Sequence, residues 1–136
     1  MRKFLVLLAL TLVTGCALFE PYQAPVSNKP AVVCQAFNGD AATACAQAGD
    51  VIIKAYVTLA ALDQDIAQTA PAGIWTKAQA QSYLDQSKAA HAKLDAAWDV
   101  YSTGNYAAAL DQANLTMTLI TALEKQVAAE AAKGKS

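Results

Sequence analysis

Between Ala41 and Gln68 the apolar positions Ile52, Ala55, Leu59, Leu62 and Ile66 recur at alternating steps of three and four. That period places them on one face of an α-helix, and no proline breaks the run, although Gly49 lies within it. Asn38-Gly39-Asp40 reads as a turn with Asp40 as N-cap, and Pro71-Ala72-Gly73 ends the element. Thr76 with Gln79 three residues on forms a capping box and predicts a second helix to about Ser102, with the stripe Ala80, Leu84, Ser87, His91, Leu94, Trp98 and Tyr101. Gly104-Asn105 then turns the chain into a third helix, whose stripe is Tyr106, Leu110, Ala113, Met117, Ile120, Leu123 and Val127. Each helix runs about 27 residues, or roughly 40 Å at 1.5 Å per residue.

Three helices of similar length with short connections predict an all-α fold, an antiparallel up-down-up bundle. Composition sharpens this expectation. The chain has 136 residues, too few for more than one ordinary domain, and 32 are alanine, which lets helices approach closely but buries little area at each position. Stability should therefore lean on helix propensity, close packing and any covalent staple.

The pattern changes upstream of the helices. Met1-Arg2-Lys3 is a positive start, Phe4 to Val13 is apolar, and Thr14-Gly15-Cys16 follows. The apolar run is too short to span a bilayer permanently and has the proportions of a secretory signal. Leu12-Val13-Thr14-Gly15-Cys16 resembles the lipobox of bacterial lipoproteins. The resemblance implies that residues 1–15 are a signal peptide and that Cys16 becomes the first residue, with a diacylglyceryl thioether on its sulfur and an acyl chain on its amine. Three chains exceed the two that give stable anchoring. It also implies the outer membrane, periplasmic side, because Ala17 stands where an aspartate would signal inner-membrane retention. Pro21, Pro25 and Pro30 then mark residues 16–33 as an extended, lipidated tether. In polyproline geometry it reaches up to roughly 50 Å from the membrane. The ordered domain is expected over residues 34–136.

Loss of Arg2 and Lys3 with the signal leaves eight lysines against eleven carboxylates and no arginine. The lysines form no cluster, so the composition excludes nucleic acid as a partner. With Cys16 acylated, two cysteines remain, Cys34 and Cys45, and an oxidising compartment is expected to join them. Closing that loop is worth something like 3 kcal/mol on the chain-entropy account. A reactive-thiol or metal-pair reading lacks both the C-x-x-C spacing and a histidine nearby.

Candidate chemistry is sparse. His91 is the only histidine, with Asp95 and Asp99 at successive fourth positions. One imidazole and two aspartates are thin for hydrolysis or zinc, so the expectation is a partly buried histidine bonded to Asp95. Counted outward from the turn near residue 104, His91 and Met117 lie at equal height on facing helices, as an axial haem pair would. Without a fourth helix or a C-x-x-C-H attachment, core packing of Met117 is preferred and no cofactor is expected. Tyr56, Tyr83, Trp98, Tyr101 and Tyr106 should fill the ends of the bundle. Trp75, beside Ile74 in a polar loop, belongs to no stripe and is the candidate contact residue.

Two further resemblances concern the helices. Tyr101-Ser102-Thr103-Gly104-Asn105-Tyr106, with Ala109, Leu110 and Ala113 after it, resembles the turn of a tetratricopeptide repeat, but the sequence holds no second copy 34 residues away and the helices are about twice too long. Residues 50–130, with Thr76-Lys77-Ala78-Gln79-Ala80-Gln81 opening a helix and Gly104-Asn105-Tyr106 dividing a hairpin, resemble small alanine-rich lipoproteins of phage and prophage genomes. The combined expectation is a non-enzymatic envelope lipoprotein that works by contacting another envelope protein. The phage resemblance implies an alternative in receptor blocking, exclusion or lysis; a periplasmic bundle for a small ligand or haem is a third reading.

Overall fold

The computed structural model describes Cys34 and residues 38–134. The signal, the lipobox with Cys16 and the tether lie outside the described residues. The described residues form three α-helices, α1 (Asp40–Thr69), α2 (Lys77–Ser102) and α3 (Tyr106–Lys133), with a 3₁₀ turn at Ala70–Ala72 after α1. Each helix packs on both others. The all-α three-helix bundle expected from the periodicity is the fold.

Local chemistry sets the boundaries. Thr76 Oγ1 accepts from the Gln79 amide at 3.2 Å while the Thr76 amide donates to Gln79 Oε1 at 2.9 Å, so the capping box forms in full. Asn105 Oδ1 caps α3 through the Ala108 amide at 3.4 Å. Gly73 (φ 70°) and Gly104 (φ 87°) supply the left-handed backbone that each reversal needs. At the start of α1 the expected cap moves by one residue. Gly39 is the N-cap, without a side-chain bond, and Asp40 opens the helix, where a carboxylate still favours the positive end of the helix dipole.

The stripe on α1 is buried as expected, Ile52, Ala55, Leu59 and Ile66 completely. On the other two helices the buried face is wider than a single seam, because every helix meets two neighbours. Tyr83, Ala90 and Ala97 join the core from α2, and Ala109 and Thr116 from α3, while Leu84, Leu110 and Met117 are only partly buried. The segment Asp40–Ala72 is long and apolar enough to cross a membrane by length and composition alone. Packing against two helices at once accounts for that apolarity.

Candidate functional site

Polar side chains gather along the α1–α2 interface in a regular ladder. On α1, Gly49, Tyr56 and Asp63 follow at steps of seven and so share a face. The antiparallel register brings Tyr101 to Gly49, Asp95 to Tyr56, and Ser87 with His91 to Asp63. The Tyr56 hydroxyl donates to Asp95 Oδ1. Asp63 uses both oxygens, Oδ1 accepting from the Ser87 hydroxyl and Oδ2 lying 2.7 Å from His91 Nε2. His91 is 1% exposed and Ser87 2%, so the carboxylate supplies the partner that buried polar groups require.

The arrangement corrects one expectation. The carboxylate on His91 Nε2 is Asp63 from the facing helix, whereas Asp95, one turn along α2, receives the Tyr56 hydroxyl. Helical spacing reveals neighbours on one helix; it does not give the height at which a second helix passes. The order of the groups also decides what they can do. Activating a serine needs the imidazole between hydroxyl and carboxylate, but here the carboxylate sits between Ser87 and His91. Geometry and burial make this cluster a cross-helix clamp. Among the described residues, no three histidine, cysteine, aspartate or glutamate side chains come together as metal ligands would.

Both members of the candidate haem pair are otherwise engaged. His91 Nε2 is taken by Asp63, and Met117 is packed against the core from α3. Trp75 requires the largest correction. It is buried, 6% exposed, with its ring edge-on to Tyr83 at 4.9 Å. The end of α3 covers this corner: a Cβ on Gly134 would fall 2.2 Å from Ile74 Cγ2, and Glu130 is close enough to Tyr83 to raise its phenol pKa, after burial as the larger cause. The loop is polar in sequence, but it is roofed by residues more than fifty positions away. Trp75 therefore acts as a core side chain, its indole Nε1–H without a hydrogen-bond partner among the described residues.

Cys34 and Cys45 form the expected disulfide, with Sγ–Sγ 2.07 Å and Cα–Cα 5.5 Å. Tyr101, read from the sequence as a stripe residue and as an aromatic filling an end of the bundle, lies against it. Its hydroxyl is 3.3 Å from Cys34 Sγ and 3.4 Å from Cys45 Sγ. Disulfide sulfurs carry no hydrogen, so the phenol donates. The same oxygen would be 2.9 Å from a Cβ at Gly49, which explains a glycine in mid-helix: it makes room for Tyr101.

On the outside, two hollows of about 280 and 220 Å³ adjoin in the groove between α2 and α3, both lined by Lys93 and Leu119. Leu115 is 69% exposed and Leu119 50%. A third hollow of about 270 Å³ lies between α1 and α3, beside Asp65 and Glu124. No protein-family model, curated protein or solved structure matches the chain.

Proposed function

We propose that this chain is a lipid-anchored accessory protein of the bacterial envelope, held on the periplasmic side of the outer membrane through acylated Cys16 and acting by contact with an envelope protein. The observation that carries the reading is the Cys34–Cys45 disulfide. Such a bond persists in an oxidising compartment, which agrees with the export signal read in Met1–Val13 and the lipobox-like Leu12–Cys16. The interior supports contact over catalysis, since Ser87, His91 and Asp63 bond one another across two helices and two of the three are almost wholly buried. What the domain offers a partner is its helical surface, brought near the membrane by a tether that raises the local concentration of any envelope component within reach.

Metabolic labelling with a fatty acid, together with membrane fractionation, tests the anchor. The wild-type chain should take up label and follow the membranes into detergent. Cys16→Ser should lose the label and fail to mature. Undiminished label in Cys16→Ser, or a wild-type chain that never carries it, would overturn the reading.

A further inference from the structure

The exposed face shared by α2 and α3 carries a pattern that the bundle does not consume. On α3, Leu115, Leu119 and Ala122 follow at steps of four and three; on α2, Ala89, Lys93 and Ala96 do the same. These are helix-packing seams like those inside the domain, yet both line the outer groove. Glutamines 86, 112 and 126 frame it, and Lys93 is the one charge among the lining residues.

We infer that this face pairs two copies of the chain about a two-fold axis, each copy laying its Leu115–Leu119 ridge over the Ala89–Ala96 trough of the other. An isologous contact demands a surface complementary to itself. Leu115 and Leu119 on one wall and Ala89 and Ala96, either side of Lys93, on the other meet that demand, because a two-fold axis running along the groove in the plane of the contact sets α3 of one copy on α2 of its mate. Size agrees as well. Two helices about 39 Å long, together about 20 Å across, present on the order of 800 Å², which is what each partner contributes to a stable interface. A membrane surface fits less well: with one lysine and a frame of glutamines, the groove lacks the basic cluster that anionic lipid selects. Lys93 can lay its stem on the apolar wall and keep its ammonium in water.

Sedimentation of the full-length chain in mild detergent tests the pairing. Wild type should be dimeric by about 0.1 mM. Leu115→Lys with Leu119→Lys should weaken association by at least about a hundredfold, because each copy would bury two unpaired charges at the contact. The melting curve should barely move, as both leucines are half or more exposed in the single copy. Val57→Lys, on α1 and 65% exposed, should leave the dimer intact. A monomeric wild type would overturn the inference, as would a dimer indifferent to the paired lysines or equally sensitive to Val57→Lys. A chain that stays monomeric yet crosslinks a different envelope protein, or adsorbs to vesicles, through Leu119 would also overturn it.

Discussion

At the end of the bundle where α1 begins, closure is covalent: Cys34 is bonded to Cys45, Tyr101 lies against both sulfurs, and Trp98, tilted, and Tyr106, edge-on, pack around Tyr101 at ring distances of 5.4 and 5.3 Å. At the opposite end it depends on packing alone, with Trp75 between its loop and Tyr83 under the last turns of α3. An alanine-rich interior supplies few large side chains, so each end recruits something to fill the mouth of the bundle. The difference lies in where failure begins. A staple can be cut without emptying the core, whereas removing the indole that packs on Tyr83 at the loop end leaves a hole that its neighbours cannot fill.

The comparison breaks most readily at Trp75. Trp75→Ala should lower stability by about 3–5 kcal/mol, in the range for truncating a buried aromatic, as read from urea denaturation of the purified chain. A change below about 1 kcal/mol, typical of a surface site, would show the loop end to be open. Removing the staple comes second. Cys34→Ala with Cys45→Ala should remove about 3 kcal/mol on the chain-entropy account while helicity by circular dichroism survives. Hydrogen exchange should then accelerate around residues 45–52 and 98–109 and stay slow near Trp75. Uniform acceleration would mean that the ends are not separable.

Gly49→Ala gives a smaller effect that probes the staple's bed. Alanine gains about 1 kcal/mol of helix propensity, but its methyl would meet the Tyr101 hydroxyl at 2.9 Å. Overpacking of about 1–3 kcal/mol should win, and Tyr101→Phe in the Gly49→Ala background should recover most of the loss. Additive effects of the two substitutions would rule out the contact.

The smallest effect is alkaline. Burial, then Tyr106 and Asp50, raise the Tyr101 pKa, and burial with Glu130 raises that of Tyr83. The unfolded chain gives up these protons first, so the contribution of both phenols is complete below the ordinary tyrosine pKa of about 10 and falls as pH climbs through the higher folded values. Urea midpoints measured from pH 8 to 11 should therefore decline above about pH 10. Tyr101→Phe should flatten part of the decline at the staple end, and Tyr83→Phe part of it at the loop end.

Most of the fold was legible because its boundaries are local. A threonine followed three residues later by glutamine, a proline after the first helix and a glycine-asparagine pair before the third each act within a few residues. The disulfide was legible for a different reason: once Cys16 is set aside, two cysteines allow one pairing. Asp63 was missed because an apolar stripe highlights Leu62 and Ile66 and passes over the acid between them; its spacing of seven from Tyr56 was the available signal. The burial of Trp75 left no trace nearby, since its roof is the far end of α3. Cross-helix register and tertiary covering are properties of two segments together, and a periodicity read along one segment cannot hold them.

The position of the staple also makes the domain resistant to being pulled. Tension arriving from upstream of Cys34 passes through the sulfur bridge into Cys45, so it bypasses the opening residues of α1 from Asp40 to Ala44. The load then enters a turn whose next layer is Gly49 beneath Tyr101, and through that ring it is shared with α2. Unzipping α1 from its free end, the route by which a helix gives way under small force, is closed while the bridge is intact. Detachment requires α1 to slide against its neighbours as one piece, breaking the Tyr56–Asp95 and Asp63–His91 rungs together.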